Sequence, residues 1–199
     1  MDAARERAGF LSLADTAALN EKGIIVLDPH STLVSPRVVL SEGITLWPSV
    51  TIEASDCADV SIGRGTQLYS GTRIVAKSGK IVIGMDVEIG EEGGFTIKAE
   101  TSHCVIEIGN GARLLGGGAL SLRNVIGRGA QVLGPIRMQN CVLGAGATYA
   151  EPDPDKRGAV LKGSGVARNI ELPAGKVIQG FGLFSEAPVC DQSYFHPKR

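Results

Sequence analysis

The sequence predicts an all-β fold, a parallel β-helix in which short strands wind into a solenoid. The main observation is an aliphatic residue at every sixth position, most regular between Ile108 and Met138. Several hexads also carry a small or β-branched residue in the fifth place, and several carry glycine in the second. A fixed short period of this kind is typical of folds whose coils stack on one another. The clearest periodic positions are Ile62, Leu68, Ile74, Ile83, Ile89, Phe95, Ile108, Leu114, Leu120, Ile126, Val132 and Met138.

The period also predicts the dimensions of the solenoid. Three hexads would form one triangular coil of about 18 residues, and successive coils would lie roughly 4.8 Å apart. The repeat then gives about six to seven coils, each face of the prism being a parallel sheet. Inward side chains would stack on equivalent ones in the coils above and below. Replacing one inward isoleucine by alanine should therefore cost roughly 2–5 kcal/mol.

Residues 1–23 are predicted to form a short helical cap. Their apolar side chains recur at helical spacing, with Asp15 as a candidate N-cap and Gly23 as the helix end. The end of a solenoid exposes unpaired strand edges, so a cover is expected there.

The β-helix itself is predicted over residues 24–184. Hexads can be counted backwards from Ile62, and they return after a solvated, proline-containing loop at 150–159. Shorter slips in the count occur at 77–81 and around His103, and loops at such slips often carry function. Residues 185–199 lose the period and are predicted to be an irregular tail. The additional hexad positions are Val38, Ile44, Val50, Asp56, Val160, Val166, Leu172, Ile178 and Phe184.

Composition and charge limit the classes of partner. The 199 residues carry a formal charge of −1 with a pI of about 6.3, so neither a nucleic-acid surface nor a membrane patch is expected. The N-terminal residues are interrupted by charges and do not read as a signal peptide or a membrane span. The four cysteines form no CxxC pair. We therefore expect reduced thiols and a cytoplasmic protein.

The hexads fit the pattern of an aliphatic residue, then Gly, Ala, Glu or Asp, two free positions, a small residue and a free position. Over roughly residues 38–184 the chain resembles the hexapeptide-repeat acyltransferase superfamily, whose fold is a left-handed parallel β-helix. The resemblance implies a homotrimer with active sites in clefts between neighbouring prisms. It also implies acyl-CoA as co-substrate and a hydroxyl or amine of a small, sugar-like molecule as acceptor. The expected enzyme is thus an O- or N-acyltransferase that needs no metal.

Acyl transfer of this kind needs a general base, and histidine suits the role because its pKa lies near neutrality. His103 is the leading candidate because it lies at a phase slip in TSHCVIEIGNGARL. This stretch is similar to those carrying the base in sugar and lipid A-type acyltransferases, although its spacing is longer and no Asp follows the His. Glu107 is a candidate to orient the ring, and a solvated loop histidine is the alternative for His103. His30 in a proline-bounded turn and His196 in the tail are weaker candidates.

Two groups of residues are candidates for holding the co-substrate. Gly117 and Gly118 could give pantetheine access to the backbone, or could simply form a tight corner. Cations near the later coils could contact the phosphates of CoA, although charged side chains in loops are more often only solvated. These cations are Lys156, Arg157, Lys162 and Arg168.

Two other functions remain open on the same fold. One is a non-catalytic β-helix that serves as a binding or assembly module. The other is a metalloenzyme like the gamma-class carbonic anhydrases, which needs three histidines on adjacent coils. The three histidines here are widely separated in sequence, which disfavours the metalloenzyme.

Overall fold

The computed structural model describes residues 2–196, so residue 1 and the last three residues of the predicted tail lie outside the described range. Short helical segments flank the solenoid and one lies within its inserted loop. The α-helices are α1 (Asp2–Arg7), α2 (Leu13–Ala18) and α3 (Gln192–Phe195), and 3-10 turns cover Leu19–Lys22, Pro154–Lys156 and Phe184–Glu186.

Short strands make up the rest of the regular structure. They are β1 (Ile25–Val26), β2 (Leu33–Val34), β3 (Val39–Leu40), β4 (Thr45–Leu46), β5 (Thr51–Ala54), β6 (Asp59–Ile62), β7 (Gln67–Leu68), β8 (Arg73–Ala76), β9 (Lys80–Ile83), β10 (Glu88–Ile89), β11 (Thr96–Ala99), β12 (Val105–Ile108), β13 (Arg113–Leu115), β14 (Ala119–Ile126), β15 (Gln131–Leu133), β16 (Ile136–Leu143), β17 (Val160–Arg168), β18 (Glu171–Leu172), β19 (Lys176–Leu183) and β20 (Val189–Asp191).

The strands form three parallel sheets that are the faces of a triangular prism. Face A contains β1, β4, β7, β10, β13, β15 and the first parts of β17 and β19. Face B starts with β2, β5, β8 and β11, and face C starts with β3, β6, β9 and β12. The strands β14 and β16 bend from face B into face C, and β17 bends from face A into face B. The predicted left-handed parallel β-helix of hexapeptide coils is thereby confirmed.

The interior consists of one column of aliphatic side chains for each face. Parallel register places each inward residue directly on its equivalent in the next coil, so every coil buries the apolar edge of its neighbour. Corners are closed by small residues in the fifth place of the hexad, and Thr66, Thr72, Ala112 and Ala130 are fully buried there. The face A column is Val26, Leu46, Leu68, Ile89, Leu114, Val132, Leu161 and Ile178.

At several positions the six-residue count predicts the wrong residue as inward-facing. In face B the inward residue of β11 is Ile97, which pairs with Ile74, and not Phe95. Phe95 is buried instead at the preceding corner, where its ring lies against Gly118. Beyond the inserted loop the inward residues are Leu161 and Ala167, each one place after the predicted Val160 and Val166.

The first coils differ from the backward count as well. Parallel pairing begins at Ile25 with β1, and the inward positions are Leu40, Leu46 and Ile52. The predicted Val38, Ile44 and Val50 lie at corners, because β5 and β6 are longer than two residues and shift the phase. Asp56 is exposed at a corner, as the break in the pattern indicated.

The N-terminal segment lies over the first coil, where the Leu11 amide donates to the Val34 carbonyl. Arg5 is buried and donates to the carbonyls of Pro29 and Thr32. The cap of α2 differs from the prediction, since Ser12 is the N-cap and its Oγ accepts from the Asp15 amide at 3.0 Å. Asp15 instead accepts a 2.6 Å hydrogen bond from that hydroxyl. Gly23 ends the helical segment in a left-handed conformation, as predicted.

Replacing Ser12 by alanine should therefore destabilise the protein by about 1 kcal/mol, because an orphan amide of α2 loses its acceptor. Urea unfolding of the variant measures this. Ser70, an exposed serine on a corner, supplies the matched control, and its alanine variant should unfold like the parent. An unchanged midpoint for Ser12→Ala would contradict the cap.

The C-terminal segment folds back on the last coil. The strand β20 pairs antiparallel with the start of β19, and α3 follows directly. Among the described residues, no helix is long and apolar enough to span a bilayer.

Candidate functional site

A pocket of about 240 Å³ opens on the later coils of face A. Its floor is the outward surface of β15, β17 and β19. One wall comes from the loop at 144–159, and another comes from the C-terminal segment. The lining residues are Gln131, Leu133, Tyr149, Arg157, Val160, Lys162, Val177, Gln192, Phe195 and His196. We call this site the face A pocket.

The loop wall is built by an insertion at the corner between faces C and A. A parallel bridge joins Ala147 to Arg157, and the Gly158 amide donates to the Ala147 carbonyl at 2.9 Å. Within the loop, Asp153 caps the 3-10 turn that begins at Pro154. The Arg157 Nε donates to the Glu151 carbonyl at 2.7 Å. These contacts hold the Arg157 guanidinium at the pocket, and its terminal nitrogens make no hydrogen bond with any described residue.

The third wall depends on Gln192, which is itself buried. Its side chain donates to the Gly158 carbonyl at 2.6 Å, and its backbone amide donates to the Gly175 carbonyl. The next amide, of Ser193, donates to the Asp155 carboxylate at 2.9 Å. The C-terminal segment is thus tied to the inserted loop, and this places Phe195 and His196 at the pocket.

The pocket combines apolar walls with positive charge. Leu133, Val160, Val177 and Phe195 provide the apolar surface, and Arg157 and Lys162 provide the charge. No carboxylate lines the pocket among the described residues. A ligand with a flat or apolar body and an anionic group would match these features.

A second polar cluster lies on face A just before the pocket. Arg113 forms a 2.7 Å ion pair with Glu88, lies 3.8 Å from Glu91, and stacks under the Tyr149 ring at 4.3 Å. Tyr69 lies beside these carboxylates, and its ring stacks on Trp47. Burial, with the charges of Glu91 and Glu88, raises the pKa of Tyr69, so its hydroxyl stays protonated and can donate. Tyr149 therefore links this cluster to the pocket.

Comparison with solved structures finds three similar structures. A hexapeptide transferase family protein from Anaplasma phagocytophilum is 15% identical, with a TM-score of 0.33 over 85% of this chain and 78% of that one. PerB from Caulobacter crescentus, solved with CoA and GDP-perosamine, is 16% identical with a TM-score of 0.25 over 89% of this chain. A mutant of GDP-perosamine N-acetyl transferase from the same organism, solved with the same ligands, is 15% identical with a TM-score of 0.26 over 89% of this chain. This chain spans 63% and 62% of the chains in the two Caulobacter structures.

No protein-family model and no curated protein sequence matches the chain. The strand pairing of the chain itself establishes the fold. Each coil has three parallel strands, and these place the aliphatic residues of the hexads in continuous inward columns. The chain has the hexapeptide-repeat β-helix fold.

Within this hexapeptide-repeat β-helix, His103 lies away from the pocket. It is exposed at the corner between faces B and C, between β11 and β12, and that corner is opposite face A. Glu107 lies on β12, on the outer surface of face C, between Val82 and Val125 in the neighbouring strands. No hydrogen bond joins His103 to Glu107 in the part of the chain that the structure describes. Within one subunit, His103 is therefore far from Arg157 and Lys162.

The other predicted cofactor-binding residues are dispersed. Lys156 is largely exposed and forms a 3.6 Å ion pair with Asp153. Arg168 lies on face B, where it donates to Gln139 at 2.9 Å. Gly117 is exposed at the corner between faces A and B. Gly118 is buried beside it, where a Cβ would lie 2.7 Å from the Phe95 ring.

The histidines are not grouped. His30 is exposed in the turn that precedes β2, and His196 lines the face A pocket. Residues 2–196 contain no group of three or more His, Cys, Asp or Glu side chains arranged to hold a metal ion. Burial raises the pKa of Cys104 and Cys141, which keeps both as protonated thiols.

Several pocket residues were not singled out from the sequence. Gln131, Tyr149 and Gln192 carry no repeat signal of their own. Gln131 occupies an outward position that any residue can fill, and Gln192 lies beyond the periodic region. The inserted loop did mark the neighbourhood, because an insertion in a solenoid projects from a corner. Which face it would cover depended on the register.

Proposed function

We propose that the protein transfers an acyl group from acyl-CoA to a hydroxyl or amine of a small acceptor, and that it does so as a homotrimer. The observation that carries this proposal is the face A pocket, where Arg157 and Lys162 lie together on a hexapeptide-repeat β-helix. A sugar is the acceptor class that the family resemblance suggests. Lys156, Arg168, Gly117 and Gly118 stay predicted contacts of the co-substrate.

The pocket suits the phosphate-bearing end of the co-substrate. Arg157 offers a planar fork of donors that matches phosphate oxygens, and Lys162 adds a mobile point charge at the rim. Among the described residues that line the pocket, no carboxylate accompanies these two cations. Phosphates would therefore be attracted there.

Face C supports the trimer. Its outward surface carries a register column in which Ser61 and Glu107 lie between Val39, Val82, Val125 and Val142, and Val39 remains 63% exposed in the isolated chain. Contact with another subunit would stabilise the protein by covering these valines. With face C directed towards a threefold axis, the B–C corner of each subunit would meet the C–A corner of the next. His103 would then approach the inserted loop and pocket of a neighbouring subunit.

The positions along the prism axis agree with this arrangement. The coil that carries His103 contains β10, and the pocket floor lies two to four coils further on, at roughly 10–19 Å. A co-substrate bound by its phosphates in the pocket could extend its long arm along the cleft. Its thioester would then lie near His103.

The proposed chemistry is direct transfer. The His103 imidazole takes the proton from the acceptor hydroxyl or amine, whose lone pair attacks the thioester carbonyl. Backbone amides stabilise the oxyanion that forms, and its collapse breaks the carbon–sulfur bond. The CoA thiolate leaves and takes up the proton that the His103 imidazolium carries, which restores the neutral base. In the same interface, Glu107 is proposed to orient the imidazole.

Binding of CoA tests the first part of the proposal. CoA at about 100 times its Kd should stabilise the protein by about 2.7 kcal/mol, seen as a rise in Tm. The double variant Arg157→Ala, Lys162→Ala should lose most of that rise. Arg137→Ala, which removes an exposed cation from face B, is the matched control and should keep it.

Turnover tests the second part. Release of the CoA thiol from acetyl-CoA should depend on an added acceptor from a panel of amino sugars and sugar alcohols. Analytical ultracentrifugation should give the mass of three chains. A protein that shows no Tm change with CoA, acetyl-CoA or longer acyl-CoA esters would not be an acyl-CoA transferase.

A non-catalytic binding module is the second candidate. The observation in its favour is the exposed state of His103, whose side chain makes no hydrogen bond within the described residues. Such a module would bind a partner through an apolar face without releasing any thiol. The turnover assay separates the two functions.

A further inference from the structure

We propose that the C-terminal end of the prism binds the same end of a second copy, so that two assemblies of this protein associate end to end about a twofold axis. The contact involves the last coil and the C-terminal segment, and it does not rest on acyl transfer. It follows from a difference between the two ends of the solenoid. Each end of a solenoid presents strand edges and core that need a cover.

The N-terminal end is covered by the chain itself. The Leu11 amide, which precedes α2, donates to the Val34 carbonyl at 2.9 Å. The Asn20 Oδ1, just after α2, accepts from the Val26 amide of β1 at 3.1 Å. Residues of the helical cap thus supply hydrogen-bond partners for the edge strands of the first coil.

The C-terminal end has open strand edges. The strand β20 pairs with Lys176–Ile178 of β19, and no described strand pairs with the other edge of β20. The later part of β19, Phe181–Leu183, pairs with β17 on one side only and is exposed. Backbone groups on such edges can pair with another chain.

Large apolar side chains lie around these open edges. Phe181 is 77% exposed and Tyr194 is 74% exposed, and Leu183 and Val189 are exposed as well. We call these four residues the terminal patch. Solenoids require terminal coils with a polar outer face to stay soluble as single units. An apolar end of this size therefore indicates a surface that is covered in the assembled protein.

The shape of this end favours a second copy as the partner. A groove of about 300 Å³ lies beside the exposed Phe181 ring, and its lining residues are Gln179, Phe181, Pro188, Cys190, Tyr194 and Phe195. One end thus carries both a projecting ring and a groove. A twofold axis would place the ring of each copy against the groove of the other, and it would make like strand edges antiparallel, as backbone pairing allows.

The charges of this end also favour a second copy. Next to the first groove lies another, which shares Cys190 and Tyr194 with it. Among the described residues that line the two grooves, Lys176 and Asp191 are the charged ones, and they form an ion pair with each other. The surface therefore has no net charge that would repel an identical copy or attract an anionic lipid.

Sedimentation equilibrium of the full chain at several concentrations tests the proposal. The open edges are short, so the contact should be weak and the mass should double between about 1 μM and about 100 μM. The doubling would be from three chains to six in a trimer, or from one chain to two in a monomer. Phe181→Glu should raise the concentration of half-association by at least about tenfold.

Leu27→Glu is the matched control, because Leu27 is an exposed apolar residue of the first coil, and it should leave the association unchanged. Both variants should unfold at the Tm of the parent. Hydrogen exchange locates the contact, since the amides of residues 181–183 and 189–191 should exchange more slowly at the higher concentration.

A wild-type mass of one or three chains at every concentration would overturn the proposal, and this result does not depend on the folding of any variant. Doubling that leaves those amides unprotected would overturn it too, by placing the contact elsewhere. Sedimentation of the wild type with phosphatidylcholine vesicles, in place of doubling, would assign the terminal patch to lipid and so contradict the proposal.

Discussion

Replacing His103 by alanine is expected to lower turnover by about 100- to 10,000-fold, the usual contribution of a general base. The side chain is exposed at a corner of the solenoid, so its removal loses little packing. Stability should change by no more than about 0.5 kcal/mol. Steady-state kinetics with acetyl-CoA measure the first effect, and thermal unfolding measures the second.

His30→Ala is the matched control, because His30 is an exposed turn histidine before the second strand and should keep full activity. A mixed trimer would test the intersubunit geometry. Subunits carrying His103→Ala, combined with subunits carrying Arg157→Ala and Lys162→Ala, should regain part of the activity that each variant lacks alone. Unchanged turnover in His103→Ala would remove this residue as the base.

Replacing Gly163 by alanine is expected to destabilise the protein by about 3 kcal/mol or more. The residue has φ of +121°, a conformation that L side chains rarely adopt and that costs about 1–3 kcal/mol. In addition, a Cβ would lie 2.0 Å from the Gly180 carbonyl oxygen in the next coil. Backbone would have to move, which would disturb the parallel pairing of β17 with β19.

Gly182→Ala separates the two causes. Gly182 has almost the same φ, +118°, but a Cβ there would meet nothing within 4 Å. Its alanine variant should therefore show only the conformational cost. Urea unfolding of the two variants gives the steric contribution as their difference, and equal losses would show that the close approach of the coils contributes nothing.

The sequence predicts the coils well because burial is periodic. An inward position in a parallel sheet must be apolar on every coil, so residues such as Leu114, Leu120 and Ile126 reveal their orientation directly. The count fails where a coil gains length. At Phe95 and at Val160 the extra residues lie in corners. The local sequence does not show how many residues a corner will contain.

The face A pocket could be predicted only in part. The cations Arg157 and Lys162 were candidates because they lie in or just after an insertion. They lie near Gln131 because β15 and β17 pair in parallel register. They lie near His196 because the Gln192 side chain donates to the Gly158 carbonyl and so holds the C-terminal segment against the loop. Such long-range contacts leave no periodic trace in a single sequence. The distance of His103 from the pocket within one subunit likewise follows from which corner it occupies.

The insertion at 144–159 has a consequence for how this scaffold can change. It leaves and rejoins the prism at one corner, and the inward columns continue from Leu143 to Leu172 and from Val132 to Leu161 as though it were absent. The residues that contact a ligand are therefore largely different from the inward residues that stabilise the fold. Substitutions in the loop can therefore change the ligand-binding surface without changing the fold of the β-helix beneath it.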